Sequence, residues 1–329
     1  MPLPEEPKDG LQYAWLIRPD APPEPLELAG VDAALEQARG IVWVHLNATA
    51  LPAKEWLTRC RQVPAPIRED LLEADNRTRL EPLGGGILGV IGDVGAWADP
   101  DPWHVYALRF YLTRHLLLTT RRQPVNCATR LSRAVRAGLR ARSTAELLVT
   151  LLTHTNDAVT ARARELARET DETEDTVLEG DIGRARRRLG QARRRAAVLR
   201  RQVTIRPRAL ERLRGRLPAW LSDNDRYELL EALDRMETTV EELSAIEQRE
   251  AQLEAEVASR LAEETNRNLY VLSIVTVLFA PMTLITGIFG MNVDGLPGVH
   301  DPTGFLWVMV SMILASVVVL VAMHWRRFF

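Results

Sequence analysis

The chain has 329 residues, 46% hydrophobic and 26% charged, an ordinary folded composition that excludes large-scale disorder. A net charge of −2 at pH 7 excludes a wholly basic nucleic-acid binder. Its two cysteines, Cys60 and Cys127, with no C-x-x-C pair, exclude a disulfide framework and a thiolate metal site.

Taken in chain order, the start MPLPEEPKDG is acidic and lacks an apolar run, so no secretory signal is expected. Residues 1–142 read as a mixed α+β domain. Apolar and aromatic runs predict strands at Leu11–Ile17, Gly40–Leu46, Gly86–Asp93, Val105–Thr113 and Leu116–Thr120, the last two as a hairpin. Helices are expected between them at Val31–Ala38, Lys54–Gln62, Ala65–Ala74 and Asn126–Arg140. Gly84-Gly85-Gly86 has no Lys-Ser/Thr after it, which favours a hairpin turn over a phosphate cradle.

Residues 143–268 read as a helical stalk with long antiparallel helices. Ser143-Thr144-Ala145-Glu146 is a capping box opening a helix that runs toward Leu178. A second helix is expected over about Ile182–Ile205. A third, from Asn224, meets neither Gly nor Pro between Ala219 and Ala280 and carries Leu229, Leu233, Met236, Val240, Leu243, Ile246, Leu253, Val257 and Leu261 at helical spacing. Charge is segregated: residues 182–216 hold fourteen Arg and one acid, residues 223–264 fourteen acids and four Arg. A basic helix neutralised by an acidic one is the simplest arrangement; an arginine stripe for RNA, or a belt for anionic headgroups, are the others.

Residues 269–329 read as a membrane hairpin. Residues 268–293 and 302–323 contain no charged residue and no His. Leu269–Phe289 and Phe305–Met323 are each long enough to cross a hydrocarbon core of about 30 Å. Two buried helices of a soluble core are the alternative. Arg326 and Arg327 after Trp325 predict that both ends lie on the cytoplasmic side, so that residues 290–304 form the external loop. On a helical wheel of the first span, Asn266, Leu269, Ser273, Thr276, Ala280, Thr283 and Gly287 share one sector. Such a stripe of small and hydroxyl side chains serves close helix packing or lines a water-filled pore.

At the end of that span stands Gly290-Met291-Asn292, nine residues after Pro281. This tripeptide, placed there after a very long helix and before a second span with a basic end, resembles the CorA superfamily of divalent-cation transporters. The continuation Val293-Asp294-Gly295-Leu296-Pro297-Gly298 is similar to the loop of its ZntB branch, associated with zinc uptake, and the Met-Pro-Glu-Leu loop of the magnesium branch is missing. The resemblance covers the whole chain. It implies a funnel-shaped homopentamer in a bacterial inner membrane, with Gly290, Met291 and Asn292 at a selectivity entrance. Asn292 amides would hold the waters of a hydrated cation, Gly290 would supply a left-handed turn, and Met291 would pack. Thr276 and Thr283 would form polar rings, Leu269 and Leu272 a constriction, and Asn266 the cytoplasmic exit. Ala280 departs from the Met frequent at that level in magnesium members.

In the external loop, Asp294, His300 and Asp301 are residue types that could collect Zn2+, although exposed loop residues of these kinds are usually solvated. His45, His104, His115 and His154 lack metal-ligand spacing and read as structural. No nucleophile with a paired base is assignable, so no enzyme activity is expected. The function expected is uptake of Zn2+, with or without proton coupling. Mg2+, Co2+, Ni2+ and Cd2+ are the other ions, no bound cofactor is implied, and the partners are further copies of the chain and lipid, with no nucleic acid. A Mg2+/Co2+ channel and a membrane-tethered sensor or scaffold without transport are the competing readings.

Overall fold

The computed structural model describes residues 7, 9–37, 40–74, 77–95, 101, 103–205, 207–291, 296 and 302–325. The chain forms two compact units, Met1–Glu254 and Ala255–Phe329.

Among the described residues the first unit is built on seven strands: β1 (Leu11–Arg18), β2 (Ala21–Pro25), β3 (Ile41–Asn47), β4 (Arg79–Leu83), β5 (Gly86–Val94), β6 (Val105–Leu112) and β7 (Leu116–Arg121). They make one sheet in the order β2-β1-β3-β7-β6-β5-β4, in which β3 and β7 are parallel and all other neighbours antiparallel. Side chains alternate across it. Ile41, Trp43 and Leu117 enter one core and Val42, Val44, Leu116 and Leu118 the other. Helices α1 (Leu28–Gln37), α2 (Leu51–Arg59) and α3 (Ala65–Leu72) cover the second face through Leu35, Leu57 and Ile67. The first face is covered by α4 (Asn126–Arg136), α5 (Thr144–Leu178), α7 (Pro207–Gly215) and the start of α8 (Asp223–Phe289), through Leu131, Leu148, Leu210 and Leu229. With both faces covered, every residue of β5, GILGVIGDV, is buried, which is why it reads as an apolar run broken only by Asp93.

The five expected strands form within a residue of their predicted ends, and Gly84 and Gly85, at φ 61° and 77°, make the β4–β5 turn. Two strands and one helix were not foreseen. β2 (APPEP) and β4 (RLEPL) carry proline and charge, and both lie at the edges of the sheet, where an unpaired side tolerates a missing N–H. Helix α7 (PRALERLRG) opens on proline and carries three arginines, yet buries Ala209, Leu210 and Leu213. Helix α4 stops at Arg136, four residues short of expectation, because Gly138 turns left-handed at φ 98°.

Beyond the sheet, α5, α6 (Ile182–Val203) and α8 pack through Val159, Leu166, Ala192, Ala196, Leu199 and Leu243. The Ser143 side chain caps α5, accepting the Glu146 N–H at 3.1 Å, and its own hydroxyl donates to Asp225 at the start of α8. The arginines of α6 meet acids on two neighbours. Arg200 pairs with Glu247 at 2.8 Å and Arg193 with Glu254 on α8; Arg195 pairs with Glu169 at 3.0 Å and Arg188 with Glu172 at 3.9 Å on α5. Mutual neutralisation is therefore the arrangement realised at these four positions, shared between α5 and α8.

The second unit holds the rest of α8 and α9 (Gly304–Trp325). Both helices are long and apolar enough to cross a membrane, and almost none of either apolar stretch is buried. A core helix of a soluble protein would be covered, so the buried-core alternative fails. The result is an α+β domain followed by a long helix and two apolar C-terminal helices.

Candidate functional site

In the second unit one stripe of each span is partly covered: Ile274, Leu278, Pro281, Met282 and Ile285 on α8, and Gly304, Val308, Met312, Ala315 and Val319 on α9, beside a buried Ser316. On each helix these residues fall on one side. The sequence-derived stripe of α8 lies about 160° round the helix from it, at 100° per residue. Asn266, Leu269, Leu272, Ser273, Thr276, Ala280, Thr283 and Gly287 are all exposed. Leu269 and Leu272 are 54% and 61% exposed.

The stripe's polar character is set by local hydrogen bonding. Thr276 Oγ1 donates to the Leu272 carbonyl at 2.8 Å and Thr283 Oγ1 to the Phe279 carbonyl at 2.9 Å. A hydroxyl has one proton and two lone pairs. With the proton held inside the helix, each Thr presents acceptor lone pairs outward, the polarity that suits a cation and its water shell. Thr286, missed on the wheel because it lies off the sector, does the same toward Met282 at 2.9 Å. Pro281 has no N–H to give the Val277 carbonyl, so α8 lacks one internal bond midway along the span.

α8 ends at Phe289, where the Gly290 N–H still bonds the Thr286 carbonyl at 2.8 Å. The left-handed turn expected at Gly290 does not form: its φ is not positive. The glycine meets a different constraint, since a Cβ there would sit 2.8 Å from the Thr286 carbonyl oxygen. Met291 follows in a bend and is 51% exposed. Asn292, Asp294, His300 and Asp301 lie outside the described residues.

The first unit places its histidines apart. Trp43 Nε1 donates to Thr119 Oγ1 at 3.1 Å, Thr119 donates to the Val44 carbonyl at 3.0 Å, and His45 Nδ1 completes the set at 2.9 Å. Burial, with Arg121 nearby, holds the His45 pKa down at about 3, a neutral ring locked in the sheet. His104 is tied to Tyr106 and Asp101 on the surface. Among the described residues no three His, Cys, Asp or Glu side chains are grouped to hold a metal ion.

Residues 38–327 match the family model described as CorA-like Mg2+ transporter protein. The zinc transport protein ZntB of Pectobacterium carotovorum is 29% identical over 272 residues, 83% of each chain. The full-length CmaX structure superposes with a TM-score of 0.78 at 23% identity, covering 99% of both chains. The CorA magnesium transporter of Methanocaldococcus jannaschii gives 0.68 at 18% identity, covering 96% of this chain and 98% of that one. The two structures speak for the fold alone.

Proposed function

The chain belongs to the family of CorA-like Mg2+ transporter proteins, and from that premise we propose that it carries divalent cations across a membrane, with Zn2+ as its cargo. The family is one of transporters rather than enzymes. The observation that carries the reading is the polar stripe of α8. Ser273, Thr276, Ala280, Thr283 and Gly287 are exposed on the side of α8 away from its partly covered stripe, where an aqueous path gives hydroxyl oxygens a use that contact with lipid does not.

In this reading several copies of α8 turn their stripes toward a shared axis, five in the proposed homopentamer, and both ends of each chain lie inside the cell. The Thr276 and Thr283 oxygens stabilise the water shell of the ion without stripping it, so that binding is weak enough to permit release. Asn292 extends this ladder to the outer entrance, and Leu269 and Leu272 narrow its lower part. Asp294, His300 and Asp301 gather cations outside. Zn2+ is favoured over Mg2+ by the relatives named zinc transport protein ZntB and by the Val293–Gly298 loop sequence.

The test is influx into liposomes holding the purified full-length protein, comparing Zn2+ with Mg2+, each with and without an inward proton gradient. Faster Zn2+ influx supports the reading, and acceleration by the gradient assigns symport. Faster Mg2+ influx overturns the choice of cargo, and no flux of either ion through assembled protein overturns transport.

A further inference from the structure

One carboxylic acid in the helical layer is placed as a surface acid never is. Glu250 on α8 is 1% exposed, and the Thr170 hydroxyl of α5 is its hydrogen-bond partner, at 3.3 Å from Oε1. The same hydroxyl lies 2.9 Å from the Leu166 carbonyl, the shorter and better contact. Thr170 has one proton to give. Thr170 Oγ1 can donate to the Leu166 carbonyl or to Glu250 Oε1 but not to both at once; whenever its proton is on Leu166, the shorter contact, the Glu250 contact is a hydrogen bond only if Glu250 carries a proton of its own.

The remaining surroundings point the same way. Glu250 Oε2 is buried, and no described residue donates to it. The charged groups facing the carboxyl are Glu169 from α5, Glu247 from α8 itself and Arg193 from α6. The only cation of the three, Arg193, is paired with Glu254, while Glu247 and Glu169 hold Arg200 and Arg195. Among these described residues, two carboxylates and no uncommitted cation oppose a third negative charge. Burial first, then Glu247 and Glu169, push the Glu250 pKa up to about 7 against the opposing pull of the Thr170 hydroxyl and Arg193, into the range a living cell explores.

We propose that Glu250 is a proton-operated latch: protonated, it bridges α8 to Thr170 of α5 and closes the three-helix layer, and on losing its proton it is driven from the layer and loosens that contact. Nothing in this depends on which ion is carried.

Hydrogen exchange of the full-length protein in detergent, corrected for intrinsic exchange rates, tests it. Protection of residues 164–176 and 243–254 should fall about tenfold between about pH 6 and pH 8, and Glu250→Gln, which mimics the protonated acid, should hold protection level across that range. Glu247→Gln removes a neighbouring negative charge and should move the midpoint to lower pH. Identical pH profiles for wild type and Glu250→Gln would overturn the latch, and so would an unmoved midpoint in Glu247→Gln.

Discussion

Thr276 and Thr283 differ from valine by one atom type, and that atom is the argument for a polar path. Replacing either by Val keeps volume and branching but removes the outward lone pairs, so influx should drop on the order of tenfold while assembly is unchanged; size-exclusion behaviour together with liposome flux checks both parts. Gly290 makes a sharper prediction. Because its added Cβ would meet the Thr286 carbonyl at 2.8 Å, Gly290→Ala should cost about 1–3 kcal/mol at the end of the span, seen as a lower melting temperature. A stability equal to wild type would mean the helix end shifts freely. The need for a glycine was legible in the sequence, but its reason was not, since a left-handed turn and a crowded carbonyl both select the same residue.

Among elements, α5 depends on its cap. Ser143→Ala removes the acceptor for the Glu146 N–H and the donor to Asp225, so it should cost about 1–2 kcal/mol, measured by denaturant unfolding. The two layers of the first unit should also answer pH in opposite directions. His45 has a folded pKa of about 3 against an ordinary 6.5, so the unfolded chain takes up the proton first and the sheet loses stability as pH falls below about 6.5. Glu250 has a folded pKa of about 7 against 4.5, so the folded chain keeps its proton longer; the helical layer loses stability as pH rises from about 4.5 to about 7 and regains none above that. Segment-resolved hydrogen exchange should separate the two limbs, and Glu250→Gln should abolish only the second.

How far the elements could be foreseen follows from what surrounds them. β1, β3, β5, β6 and β7 lie inside the sheet under helices, and burial on both faces wrote them as apolar runs. β2 and β4 escaped because an edge strand permits Pro22, Pro23, Pro25 and Pro82, residues that argue against a strand anywhere else. The stripe on α8 was visible from spacing alone, since 100° per residue is fixed by helix geometry. That it stands opposite the covered face was not, because the rotation of one span against the other is set by side-chain packing that periodicity does not encode.

For the whole molecule, the exposed apolar surface of α8 and α9 suits a lipid environment, and the exposed hydroxyl stripe suits water or other copies of α8. A shared axis satisfies both, with the apolar sides outward. Native mass spectrometry from lipid nanodiscs should give five copies, and a population of only monomers and dimers would remove the axis. The measurement that bears most directly on transport is divalent-cation influx into liposomes for wild type beside Asn292→Ala and Thr283→Val. Uptake by wild type that falls in both variants, with assembly intact, is the predicted result; uptake of equal rate in all three would contradict a path along this face of α8.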